Sequence, residues 1–226
     1  MNLYRKLRHY AGIFIRVRWI PSLYLNFRLL PFKQAIKMPF IVKSKVKFRN
    51  LTGKVNFQCP VKFGIVQIGK DVDEMPISFV PAQLRIEGRL IIKGKVIINK
   101  GANLVVWPRA TMTLGRYVMI CSGVTVKAVE NVTIGDYAMI SSGCFIMDSN
   151  IHCIRDLATG NVNRPNNPIV IGDNVWMAMS AAALGGARIP SDSVLSRYSF
   201  VNKDITQWGG YLQALRRDSY DPARRA

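Results

Sequence analysis

The chain has 226 residues, 49% of them hydrophobic, which suits one main folded domain with appendages and a sizeable core. Thirty-two Lys and Arg against 13 Asp and Glu give a formal charge of +19, a field that favours anionic partners without naming one. Arg16, Arg18 and Arg28 interrupt every apolar stretch near the N-terminus, which excludes a bilayer-spanning run and a clean signal-peptide core, so a cytoplasmic protein is expected.

Residues 1–40 read as a basic amphipathic segment. Leu3, Leu7, Tyr10 and Phe14 share one helical face, with Arg5, Lys6 and Arg8 largely off it, and Pro21 and Pro31 punctuate the rest of the segment. With Trp19, Tyr24 and Phe27, such a segment either lies on an anionic membrane surface or packs across the end or side of its own domain.

From about Phe40 the texture changes to short β-branched stretches broken by Gly or Asn, as in Leu90 to Asn99, which read as strands. Apolar residues recur every sixth position through Ile86, Ile92, Ile98 and Leu104, again through Leu114, Ile120 and Val126, then Ile134, Ile140 and Ile146. The spacing resumes at Ile171 and continues through Met177, Ala183, Ile189, Leu195 and Val201. This period is neither helical nor a hairpin alternation. It predicts an all-β solenoid over residues 41–205 in which each repeat adds one short strand and one turn, three strands to a triangular coil. A β-sandwich is the lesser reading, because its turn signals come at wider, less regular intervals. Gly115, Gly135 and Gly172 follow an apolar position directly, where backbone angles that other residues resist are expected. Residues 206–226 form a C-terminal tail, whose Arg216, Arg217, Arg224 and Arg225 read as solvated.

The longest interruption begins Met147-Asp148-Ser149-Asn150-Ile151-His152 and continues as a polar loop over about 148–168, through Gly160, Arg164, Pro165 and Pro168. Carried on from Ile134, Ile140 and Ile146, the six-residue register lands on His152, and a polar group at a core position calls for a reason. A neutral imidazole within hydrogen-bond reach of a hydroxyl can take its proton during nucleophilic attack. Asp148 and Asn150 are candidates to orient the imidazole or hold an acceptor, and equally for plain turn chemistry. Cys59, Cys121, Cys144 and Cys153 show no C-x-x-C pair and no disulfide framework, the last three lying in hydrophobic stretches, so reduced thiols are expected.

The strings Ile134-Gly135-Asp136-Tyr137-Ala138-Met139-Ile140 and Ile171-Gly172-Asp173-Asn174-Val175-Trp176-Met177, with the close Val201-Asn202-Lys203-Asp204-Ile205, resemble the hexapeptide-repeat acyltransferases. The loop with His152 ahead of Ile171-Gly172-Asp173-Asn174-Val175-Trp176 resembles their sugar and polysaccharide O-acetyltransferase branch. The resemblance implies a left-handed parallel β-helix, an exception to right-handed crossover, assembled as a homotrimer with active sites between subunits. It further implies acetyl-coenzyme A as donor with no metal, His152 as the catalytic base, and Trp176, Ala178 and Lys203 as cofactor-binding residues. Trp176 would lie beside the pantetheine groove and Lys203 near the phosphates. Met179 stands where some relatives place a hydroxyl near the thioester, Ser196 and Arg197 replace small residues, and Gly209-Gly210-Tyr211-Leu212 replaces the usual ending.

The expected acceptor is a hydroxyl of a surface glycan, a lipopolysaccharide or a polysaccharide precursor, a lipid-linked sugar among them, with the basic front on the inner face of the membrane. An amino-sugar N-acetyltransferase uses the same base and donor. A non-catalytic trimeric scaffold is the alternative of a different class. A γ-class carbonic anhydrase is excluded because three histidine zinc ligands are needed and only His9 and His152 exist. Nucleic-acid binding has charge in its favour but no recognisable module, so no specific nucleic acid is expected.

Overall fold

A strand of two to six residues can turn only one to three side chains inward, so a core built from such strands must be assembled by stacking coils. The computed structural model describes residues 17–70 and 80–208. Among these, successive short strands pass in turn to three all-parallel sheets. Sheet A runs from Phe40–Val42 to Val194–Leu195, sheet B from Val46–Leu51 to Phe200–Val201, and sheet C from Lys54–Phe57 to Arg188–Ile189.

The inward residues stack in columns. Ile68, Ile98, Ile120, Ile140, Met177 and Leu195 form that of sheet A. Leu84, Leu104, Val126, Ile146, Ala183 and Val201 form that of sheet B. Ile92, Leu114, Ile134, Ile171 and Ile189 complete the prism. All are buried, and each large aliphatic contributes about 1.5–3 kcal/mol by leaving water. Of the residues in the six-residue count, Ile86 alone is displaced: it pairs with Val106, and Leu84 occupies the column of Leu104.

Every break in the count falls on one edge of the prism. From Ile92 onward the passages from sheet C to A and from A to B advance six residues, as from Ile134 to Ile140 to Ile146, whereas in the first coils Phe57 to Ile68 and Ile68 to Leu84 are longer. The passage from B to C stretches from Leu104 to Leu114, from Val126 to Ile134 and from Ile146 to Ile171. From Ile92 onward, the B–C edge is where the coils accept insertions.

The glycines after the apolar positions serve a purpose other than the expected one. Gly115, Gly135 and Gly172 do not have positive φ. Instead a Cβ at Gly135 would lie 2.5 Å from the Gly172 carbonyl oxygen, and one at Gly172 would lie 2.5 Å from the Ser191 nitrogen. Stacked corners leave no room for a side chain. The left-handed residue comes two places later, at Tyr117, Tyr137, Asn174 and Asp192 on the C–A edge and at Gly101, Gly123, Gly143, Ser180 and Tyr198 on the A–B edge.

Helix α1 (Trp19–Leu29), followed by the short α2 (Phe32–Ala35), closes the open end of sheet A. An edge strand exposes unpaired backbone groups, and α1 satisfies those of Phe40–Val42 one by one. Asn26 Nδ2 donates to the Phe40 carbonyl at 2.7 Å, and the Phe40 N–H donates to Asn26 Oδ1 at 3.1 Å. The Val42 N–H donates to Ser22 Oγ at 2.9 Å, and the Val42 carbonyl accepts from the Arg18 N–H at 2.7 Å. The inner face of this part of the basic segment thus packs on the domain. No helix among the described residues is long and apolar enough to cross a membrane. The amphipathic face of Leu3, Leu7, Tyr10 and Phe14, the tail arginines and Gly209-Gly210-Tyr211-Leu212 lie outside the described residues.

Candidate active site

Residues 148–168 leave the coil at the B–C edge as a hairpin arm. Ser149 and Asn166 form an antiparallel bridge, as do Arg155 and Val162. The Asn150 N–H donates to the Pro165 carbonyl at 2.8 Å, the Asn163 N–H to the Ile154 carbonyl at 3.0 Å, and the Asn167 N–H to the Asp148 carbonyl at 2.9 Å. Everything from Ile151 to Arg164 is exposed. Arg164 reaches back to Glu130 on the coil below at 3.4 Å.

Asp148 is the root of this arm. Its carboxylate, fully buried, accepts from the backbone N–H groups of Val129, Glu130 and Asn131 at 2.7, 2.8 and 2.6 Å. Those three N–H groups sit where the shorter B–C insertion of the preceding coil bends out of register. The carboxylate supplies the acceptors that the ladder cannot. This is turn chemistry, and both oxygens face the backbone. Asn150 contributes its main chain to the arm, and its side chain is exposed.

His152 is exposed on the arm rather than inward. The register argument for a core position fails because the count does not survive the B–C edge, where Ile171 takes the next inward place in sheet C. Its approach is strained. Ile151 has φ 65, a conformation costly for a β-branched residue. Ser149 Oγ holds it by accepting the Ile151 N–H at 2.9 Å while donating to Asn166 Oδ1 at 2.5 Å. Cys153, expected in a hydrophobic stretch, is also exposed here, whereas Cys121 and Cys144 are buried, and no disulfide joins any of the four cysteines.

Trp176 and Ala178 lie elsewhere. Trp176 sits on the outer face of sheet A between Met139 and Val194, with 42% of its surface exposed. Its Nε1–H donates to Ser141 Oγ at 2.8 Å, so the ring presents an apolar face with its polar atom already paired. Ala178 begins the A–B corner, its carbonyl accepting from Cys144 Sγ at 3.1 Å. Lys203 is exposed on the B–C edge beyond Val201, and its carbonyl accepts the Arg188 N–H at 3.2 Å. The prism therefore gathers His152 and Lys203 on one edge. It puts Trp176 on the sheet opposite that edge, so no single chain brings the two groups together.

No protein-family model matches the chain, and no curated protein matches it. Among the solved structures that do, the polySia-specific acetyltransferase NeuO is 21% identical, with a TM-score of 0.53 over 73% of this chain and 69% of that one. The fold is the left-handed parallel β-helix. A variant of AntD, an N-acyltransferase from Bacillus cereus in complex with dTDP and coenzyme A, is 14% identical with a TM-score of 0.39, covering 79% of this chain and 82% of that one. The polysialic acid O-acetyltransferase OatWY is 14% identical with a TM-score of 0.28, covering 71% and 81%. These looser overlaps add nothing to the fold assignment.

The β-helix also carries a cavity of about 480 Å³ on its C–A edge, away from His152, lined by Lys93, Arg116, Thr133, Asp136 and Ser191 among others. Sequence reading missed its organisation, although the repeated Ile-Gly-Asp held the signal. Asp136 Oδ1 accepts the Arg116 N–H at 2.7 Å, Asp173 Oδ1 accepts the Asp136 N–H at 2.7 Å, and Ser191 Oγ accepts the Asp173 N–H at 2.9 Å. Burial pushes the Asp136 carboxyl up, but the Arg116 N–H and guanidinium outweigh it and hold the group below the usual carboxylate range. The ladder staples successive coils. No three His, Cys, Asp or Glu among the described residues are grouped to hold a metal.

Proposed function

We propose that this chain transfers an acetyl or related acyl group from coenzyme A to a hydroxyl of a surface glycan, a lipopolysaccharide or a lipid-linked sugar precursor, with His152 as general base. The observation that carries the reading is the arm. On a β-helix whose other B–C passages are shorter, one edge extends a hairpin that presents an exposed imidazole, rooted by a fully buried carboxylate and reached through a strained Ile151. The acetyltransferase NeuO shares the fold.

The residues present fit the donor. The exposed Trp176 ring continues an apolar strip with Met139 and Met119 along sheet A, suited to a pantetheine arm, and Lys203 offers a cation for phosphate. Because these groups occupy different sides of the prism, we infer a homotrimer in which the arm of one copy meets sheet A of the next. His152 accepts the acceptor hydroxyl's proton as that oxygen attacks the thioester carbon. The carbon–oxygen bond forms, the carbon–sulfur bond breaks, and the imidazolium returns the proton to the departing thiolate. No covalent enzyme intermediate is needed. Asp148 acts at one remove, by fixing the arm. An acceptor that is lipid-linked places the enzyme in the cytoplasm, peripheral on the inner face of the membrane.

Free-thiol release from acetyl-coenzyme A, measured against a panel of glycans and amino sugars, tests the reading. Turnover that depends on a glycan hydroxyl is expected. Turnover with amino sugars alone assigns N-acylation instead, and a chain that neither binds coenzyme A nor turns it over is a trimeric scaffold.

A further inference from the structure

Helix α1 has two apolar stripes where a surface helix has one. Leu25 and Leu29, with Ser22 and Asn26, face the β-helix and are buried. On the other side Ile20, Leu23, Tyr24 and Phe27 follow the same spacing and face outward, Ile20 with 83% of its surface exposed. The stripe continues onto α2 and just beyond it with Phe32, 70% exposed, and Ile36. The Phe27 and Phe32 rings meet at 6.0 Å, and Tyr24 rests on Phe48 at 5.7 Å, so the aromatics form a connected patch rather than isolated side chains. Polar residues would serve better on such a face if water were its partner.

The charges around the patch are of one sign. Arg18, Arg28, Lys33 and Lys37 are exposed on the same two helices or beside them. Residues 1–70 contain fifteen Lys and Arg and no Asp or Glu; the first acid is Asp71. Apolar and aromatic side chains at the level of acyl chains and headgroups, rimmed by cations, are what a bilayer with anionic lipids attracts. A protein partner of matching shape would leave this uniform sign of charge unexplained over so long a stretch. A second copy of the chain would bring the same charges against each other.

We propose that the outward face of α1 and α2 docks on the surface of an anionic lipid bilayer, with Ile20, Phe27 and Phe32 entering the interface and Arg28, Lys33 and Lys37 contacting headgroups. The proposal rests on the peripheral placement of the acyl-transfer reading and names the surface that produces it. Docking through the closed end of sheet A leaves the His152 arm, far along the coil, clear of the lipid. A substrate sugar would then extend to it from the membrane.

The test is cosedimentation of the full-length protein with phosphatidylcholine vesicles, with and without phosphatidylglycerol. It compares wild type, Ile20→Ser/Phe27→Ser/Phe32→Ser and Arg28→Glu/Lys33→Glu/Lys37→Glu, with melting temperature and mass in solution measured alongside. Wild type is expected on anionic vesicles alone, with partitioning reduced about tenfold or more in each variant at unchanged melting temperature and mass. Undiminished binding by the serine variant overturns the proposal, as does wild-type failure to bind. A change of oligomeric mass in that variant assigns the stripe to contacts between copies and overturns it too. Thiol release with a soluble acceptor is followed in parallel: turnover without vesicle binding sinks the docking face alone, and vesicle binding without turnover on any acceptor sinks the acyl-transfer reading alone.

Discussion

At Asp148 a single carboxylate closes three backbone N–H groups, and its loss leaves all three, in a part-buried setting, without this acceptor. Asp148→Ala should therefore lower stability by about 2–4 kcal/mol in denaturant unfolding, since each unsatisfied donor costs about 1–3 kcal/mol with partial relief from water. It should also reduce turnover by loosening the arm. Asp136 responds to pH in the sense its partners dictate. Its folded carboxyl is depressed, so the stability it adds is present above the ordinary carboxylate value and lost as pH falls through the depressed one. Asp136→Asn should melt below wild type at neutral pH, and the gap should close in acid. Thiol reactivity separates the two environments: Cys153 should label with maleimide in the native protein. Burial pushes the Cys144 thiol up to about 11, so Cys144 should label only on unfolding. His152 itself could be singled out in the sequence, but for a partly mistaken reason. The residue stood out by type and by the motif around it. Its supposed inward register does not exist, because the turn that Asp148 anchors resets the count.

Among the elements, the six-residue count was legible wherever a coil corner holds a fixed number of residues. That is true of the C–A and A–B edges from Ile92 onward, and all sixteen counted apolar positions are buried. The coils before Ile86 were harder to see because sheet B slips register between Phe48 and Leu51. What could not be read was why corner residues are as they are. Gly135 looks like a residue chosen for its dihedral freedom, yet backbone of the next coil occupies the space its Cβ would need. Gly135→Ala should cost about 1–3 kcal/mol or more in stability, the range expected of overpacking, with no φ to blame. Ser180 gives the converse case. It adopts φ 60 at the corner position held by Gly101, Gly123 and Gly143 in the coils before it. Ser180→Gly should raise stability by about 0.5–1 kcal/mol, the relief of a left-handed side chain less the extra freedom glycine has when unfolded. A melting curve that drops for this variant would mean that the hydroxyl does more at the A–B corner than the strain suggests.

For the whole molecule, the prism distributes the expected site over two of its sides. His152 and Lys203 share the B–C edge, and Trp176 faces out from sheet A. The sequence shows both groups but not their separation, since spacing along a solenoid says nothing of which side a residue faces until every coil's length is known. If neighbouring copies complete the site, His152→Ala and Trp176→Ala proteins, each impaired alone, should regain turnover when unfolded and refolded together, as mixed trimers rejoin an intact arm with an intact sheet A. The most direct test of acyl transfer by the arm is movement of a labelled acetyl group from coenzyme A to a glycan hydroxyl by wild type and by His152→Ala. Label on the glycan is expected with wild type and a rate about 100-fold or more lower with the variant, at unchanged melting temperature and coenzyme A affinity. Transfer by the variant at the wild-type rate would contradict this, because the exposed imidazole on the arm would then have no part in the chemistry.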